Sequence, residues 1–177
     1  MKILVVIDTQ QDFMTGVLGN EQTKAVIPHI VEKINNTDAD LIICTRDTHG
    51  SDYMGTREGK RLPILHCQKG TAGWQFVPEI QEALDNSPKN VKYIDKPVFG
   101  SPYLATTIHH LTINTESTVE IIGVDTDICV ISNAMIIKAE CYDTCDVVVD
   151  SSCCAGVTPE LHEAALAVMK SAHIDVI

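Results

Sequence analysis

Five short, continuously apolar runs punctuate the chain: KILVVID (2–8), DLIICTR (40–46), VKYID (91–95), TVEIIGV (118–124) and CDVVVD (145–150), with IDVI at the end. Runs of this length that do not alternate read as strands covered on both faces. Between them lie stretches of helical period near 23–36, 76–85, 102–111, 127–140 and 159–172. Thr158 followed by Pro159 reads as an N-cap and a first helical position. Such alternation predicts parallel strands joined by right-handed crossovers. The expected fold class is therefore α/β: one three-layer α-β-α domain over 1–177 with a parallel, Rossmann-like sheet of about six strands.

One stretch breaks the rhythm. Residues 47–75 carry no clear period, are rich in His, Asp, Glu and Gly, and contain Trp74, the only tryptophan. Long unpatterned loops inside compact domains are commonly functional.

Bulk composition narrows the partners. Hydrophobic residues make up 45% and charged residues 21%, an ordinary globular balance. A formal net charge of −11 argues against nucleic acid or an anionic membrane surface as a partner. No run approaches the roughly 18 apolar residues of a membrane span, and the opening ILVVI is cut short by Asp8 without a cleavage site, unlike a signal peptide. Seven cysteines at irregular spacing suit free thiols in a reducing, cytoplasmic setting.

In open α/β sheets, ligands bind beyond the carboxyl ends of the strands. The residues at those ends are Asp8, Asp47 to His49, Lys96, Asp125 to Cys129, and Asp150. Cys129 follows TVEIIGV at the expected start of a helix, where the dipole favours a thiolate and free backbone amides can hold an oxyanion. On position alone it reads equally as a buried structural thiol. Asp8 could simply end a strand, and Lys96 could be a solvated lysine; with Cys129 they would supply a base, a cation and a nucleophile. Asp47 and His49 lie two apart in an extended segment and can point to one side. With His66, and Glu58 between, they could hold zinc, iron or manganese with positions left open. The same loop also reads as surface turns with solvated polar side chains.

Five segments, VVIDTQQDF (5–13), TRDTH (45–49), LHCQKGTAGWQF (65–76), DKPVFGSP (95–102) and IIGVDTDICVISNA (121–134), resemble the isochorismatase-like cysteine hydrolases, and within them the nicotinamidases. The resemblance runs through the whole chain. It implies a catalytic triad of Asp8, Lys96 and Cys129, and one divalent metal ion (Zn, Fe or Mn) held by Asp47, His49 and His66 with Glu58 nearby. It also implies Phe13 in the substrate pocket, a cis peptide at Val124-Asp125, and an oxyanion hole from the amides of Asp125 and Cys129. Three positions depart from the pattern: Pro63 stands for an aromatic, Asp125 for a small neutral residue, and Asn133 for a threonine. Trp74 is the candidate for the missing pocket ring.

The implied activity is release of ammonia from a small amide, with nicotinamide to nicotinate the leading reaction. Rival readings are an amidase acting on an N-carbamoyl or ureido compound and a catalytically silent binding member of the fold. A vinyl-ether hydrolase of the same superfamily would lack the cysteine. The helix expected over 127–140 is apolar on nearly all sides, so it needs cover from another helix or a second subunit. The resemblance implies a homodimer or homotetramer.

Overall fold

The computed structural model describes residues 1–177. Its centre is a six-stranded, all-parallel sheet in the order β3-β2-β1-β4-β5-β6. The strands are β1 (Lys2–Ile7), β2 (Leu41–Asp47), β3 (Asn90–Lys96), β4 (Thr118–Val124), β5 (Asp146–Ala155) and β6 (Asp175–Val176). The helices are α1 (Gln11–Met14), α2 (Glu21–Asn36), α3 (Pro78–Asp85), α4 (Pro102–Thr112), α5 (Ile131–Glu140) and α6 (Pro159–Ser171).

The unbroken apolar runs have a plain cause. Side chains alternate across a strand, and here both faces are covered. Ile3, Val5, Ile7, Ile43, Val119 and Ile121 pack in one cluster with Leu104 and Ile108 of α4, Ala134 and Ile137 of α5, and Leu166 and Met169 of α6. Leu4, Val6, Ile42, Cys44, Ile122 and Val124 pack in a second cluster with Val26, Ile30 and Ile34 of α2 and Ile80 and Leu84 of α3. The sheet is thus the middle of three layers.

Helix starts follow local chemistry. Asn20 and Thr23 form a reciprocal capping box at α2, and Thr158 caps α6 ahead of Pro159 as the sequence predicts. Ser101 caps α4, again with proline next. Two expectations shift. The strand expected over 145–150 continues to Ala155, because small thiols and hydroxyls of SSCCA fit beside Gly123 and Val124 of β4. Asp150 therefore lies mid-strand rather than at a strand end, and it pairs with Lys33 of α2 at 2.7 Å, outside the cluster expected of it. The helix expected from 127 begins only at Ile131, preceded by a π-turn over Thr126–Val130.

Strands β1, β2 and β3 step one way across the sheet, whereas β4, β5 and β6 step the other. The switch falls between β1 and β4, the place where such sheets open a crevice. No helix is long and apolar enough to cross a membrane.

Candidate active site

Three strand ends converge on one buried group. Asp8 leaves β1 at φ 49°, a left-handed conformation that Asp tolerates better than most residues. Its Oδ1 accepts from Thr45 Oγ1 at 2.7 Å, and its Oδ2 lies 2.5 Å from Lys96 Nζ. Lys96 ends β3 and is buried; its ammonium also donates to the Val98 carbonyl at 3.0 Å and reaches Cys129 Sγ at 3.7 Å. Carboxylate, ammonium and thiol therefore form one contact chain, centred on Lys96.

Electrostatics fix the resting state. Burial lifts the Asp8 carboxyl above its ordinary range, and the Lys96 charge opposes this without cancelling it. Burial also works against the Lys96 charge, but Asp8, Cys129 and Asp47 outweigh it, so Lys96 stays protonated. The Cys129 thiol is pushed well above its usual value by burial and then by Asp8, with Lys96 opposing. The sequence expects Cys129 at an α-helix start that favours a thiolate, with Asp8 as its base. Cys129 occupies the π-turn instead, enclosed, where burial resists ionisation and leaves activation to Asp8 and Lys96.

The turn carrying Cys129 is held from several sides. The Asp125 carbonyl accepts from the amides of Ile128 and Val130, both at 3.0 Å. Thr126 Oγ1 pairs with His162 Nδ1 at 2.8 Å, and Asp127 Oδ1 accepts from the Val157 amide at 2.9 Å. The peptide bond between Val124 and Asp125 is cis, as the resemblance implies. Burial, then the neighbouring Asp127 and Asp8, pushes the Asp125 carboxyl up to about 7.

Beside this group lies a second. Asp47 ends β2 in register with Lys96, and the Thr48 amide donates to the Lys96 carbonyl at 2.8 Å, so the two groups share one edge. Ligand atoms of Asp47, His49, Glu58 and His66 all lie within 4.8 Å of one another. Asp47 Oδ1 and His49 Nε2 are buried without a hydrogen-bond partner, although His49 Nε2 approaches Asp47 Oδ2 to 2.8 Å. His66 Nδ1 faces the Ile64 carbonyl at 2.8 Å, which leaves Nε2 to point at Asp47 and Glu58. A backbone carbonyl on one ring nitrogen is the usual support for a metal on the other. Two imidazoles, two carboxylates and orphaned buried acceptors fit a divalent transition metal. Glu58 is the outlying member, 3.6 Å from His49 Nε2 and partly exposed. Burial would raise the Asp47 carboxyl, but His49 and His66 overcome it and hold the group below the usual range.

Several supports were not visible in the sequence. Gln10, fully buried, accepts from the Asp47 amide at 2.7 Å and donates to the Asp47 carbonyl at 2.8 Å and the Trp74 carbonyl at 2.9 Å. It joins the Asp8 turn to the metal-side strand end. Asp12 accepts from the Cys67 amide at 2.7 Å and anchors the segment that carries His66. Tyr53 packs its ring 4.5 Å from His49 and 5.0 Å from His66, centroid to centroid. Only Gln10 and Asp12 lie in a segment the sequence singled out, DTQQDF; Tyr53 gave no signal beyond being aromatic in the irregular loop.

Phe13 stands 5.6 Å from His66, edge to face, at the metal side. Trp74 is held differently: Arg46 lies 4.0 Å over its ring, and its Nε1 donates to Thr48 Oγ1 at 2.8 Å. The ring packed against both histidines is Tyr53, tilted to His49 and edge to face with His66. A cavity of about 380 Å³ opens here between His49, Tyr53, Glu58, Pro97 and Val98.

The isochorismatase domain matches residues 2–177. Among solved structures, the pyrazinamidase of Pyrococcus horikoshii in complex with zinc is 27% identical, with a TM-score of 0.78 over 99% of this chain and 98% of that one. The pyrazinamidase/nicotinamidase of Streptococcus mutans (24% identical, TM-score 0.78, 100% of both chains) shares the fold. So does PnC1 of L. infantum in complex with nicotinate (21% identical, TM-score 0.80, 100% of this chain and 92% of that one). No curated protein matches the chain significantly. With the domain running through nearly its whole length, the chain belongs to the isochorismatase family of hydrolases.

Proposed function

We propose that this protein is a cysteine-dependent amidohydrolase that releases ammonia from a small amide, with nicotinamide to nicotinate as the leading reaction. One observation carries the reading: Lys96 Nζ touches both Asp8 Oδ2 and Cys129 Sγ at the edge that also bears the two-histidine, two-carboxylate set. The zinc-bound pyrazinamidase neighbour supports the substrate class.

Asp8 takes the proton from Sγ, and its raised affinity for protons makes it a better base for a thiol than an ordinary carboxylate. Lys96 steadies the emerging thiolate as the C–S bond forms. The backbone amides of Asp125 and Cys129 receive the charge on the carbonyl oxygen. As the C–N bond breaks, Asp8 returns the proton to nitrogen and ammonia leaves. Water then adds to the thioester with Asp8 again accepting a proton, and release of the acid restores the thiol. Asp47, His49, His66 and Glu58 would hold the metal ion, which when bound supplies a Lewis-acidic anchor for a ring nitrogen. Phe13 and Tyr53 pack edge to face around His66, beside that set.

Ammonia release from nicotinamide, pyrazinamide, an N-carbamoyl amine and a ureido acid tests the reading, together with elemental analysis. The expected result is turnover of the aromatic amides, close to one transition-metal ion per chain, and loss of activity in Cys129→Ala and on metal chelation. Turnover confined to the ureido or N-carbamoyl compounds would replace the substrate class. A Cys129→Ala protein that kept most of its rate would overturn the mechanism.

A further inference from the structure

Asn133 stands one helical turn beyond Cys129, wholly buried, where the family resemblance leads one to expect threonine. Every polar group of its side chain is used. Nδ2 donates to the Cys129 carbonyl at 2.8 Å and to the Phe99 carbonyl at 3.0 Å, while Oδ1 accepts from the Ser101 amide at 2.9 Å. Only one orientation of the amide satisfies two carbonyls and one N–H, so the assignment of its atoms is fixed by its partners. Between Lys96 and Ser101 runs a short loop, and its Val98 carbonyl is what the Lys96 ammonium donates to at 3.0 Å. Ser101 then caps α4 through the Leu104 amide at 3.1 Å.

Resting on the cysteine reading above, we propose that Asn133 is a positioning residue that sets the Lys96–Cys129 separation. It latches the loop that follows Lys96 to the backbone of the nucleophile itself. The two ends of the contact come from different elements, β3 and the π-turn, and no strand pairing joins those elements directly. A threonine could still bond the Cys129 carbonyl one turn back, as helical threonines do. Its single proton, given to Cys129, would leave the Phe99 carbonyl without a donor, and its shorter side chain would hold the Ser101 amide less well. The loop would be loosened, and the ammonium with it. The groups facing Sγ are Asp8 and Lys96, with Asp47 behind them. Withdrawal of Lys96 leaves only the carboxylates, which raise the thiol.

Asn133→Ala strands a buried amide and two carbonyls and is expected to lose stability; Asn133→Thr is the working variant. The measurement is the pH midpoint of Cys129 alkylation by iodoacetamide, followed peptide by peptide by mass spectrometry. Altered access changes only the plateau, and an unfolded fraction, whose thiol titrates near the ordinary value, moves the apparent midpoint down, opposite to the shift expected here. In Asn133→Thr it should rise by about one pH unit. The value of kcat for the amide should fall about ten- to hundredfold, with KM within about twofold of wild type. Ile30→Ala, in the core cluster on the other face of the sheet, serves as a destabilised control and should not raise the midpoint. An Asn133→Thr protein with the wild-type midpoint and kcat overturns the positioning role. Activity surviving in Cys129→Ala would instead sink the nucleophile assignment, so the two failures are distinct.

Discussion

The chemistry of single residues here is set by enclosure more than by helix polarity. Cys129, expected at a helix start that eases ionisation, lies enclosed in the π-turn, where burial and Asp8 both push its thiol up. Activation therefore falls more heavily on Asp8, the base expected from sequence, whose carboxyl burial holds above its ordinary 3.8. The sign of the pH effect follows: protonated Asp8 cannot accept the thiol proton, so activity is present above its raised pKa and lost as pH falls through it. We expect the acidic limb of kcat/KM to lie above the ordinary aspartate value. A limb at or below the ordinary aspartate value of 3.8 would contradict the environment described for Asp8.

Elements place these residues, and one glycine decides how closely two of them pack. Gly123 in β4 has φ 119°, and a Cβ there would fall 2.2 Å from the Ile7 carbonyl of β1. The contact sits one residue before Asp8 and two before Asp125, at the switch between the two halves of the sheet. Gly123→Ala combines a backbone conformation that L residues avoid with a collision against backbone that cannot rotate away. The expected cost is about 3 kcal/mol, read as a lowered urea midpoint at unchanged slope. An alanine variant within about 0.5 kcal/mol of wild type would show that β1 and β4 can part freely. Element types were legible because apolar runs and capping residues are local signals. The π-turn was not, because TDICV carries the same residues an α-helix would accept; its course is imposed by Asp125, Thr126 and Asp127 each bonding to a different neighbour.

For the molecule as a whole, α5 is only partly covered within the chain. Within the chain Asn133, Ala134 and Ile137 are buried, but Met135 remains 39% exposed, and Ile128, Ile131 and Ile136 are half-buried. Gly100 packs against Ile136, and Phe99 and Tyr103 beside it in the chain are 45% and 70% exposed. Copies that each carry a net charge of −11 repel except where charge is absent, so this patch is where two chains would meet. A homo-oligomer at micromolar concentration is therefore expected. Light scattering at the 19.4 kDa monomer mass would defeat it, and Met135→Lys should push an assembled form toward monomer. By itself the sequence determined the layered α/β architecture, since period and composition are properties of each segment alone. It also supplied the residue types of the site, because Asp8, Asp47, Lys96 and Cys129 stand at or just beyond the ends of strands it made visible. Only the tertiary structure decided that Asp150 turns to Lys33, that Tyr53 packs against the two histidines, and that Gln10 and Asn133 bind the site together. Asp150 and Lys33 lie 117 residues apart in the chain, Gln10 and Asp47 are 37 apart, and Asn133 and Ser101 32, while Tyr53 meets His66 across 13 residues of irregular loop. No local pattern encodes them; they follow from which strand ends the folded sheet brings side by side.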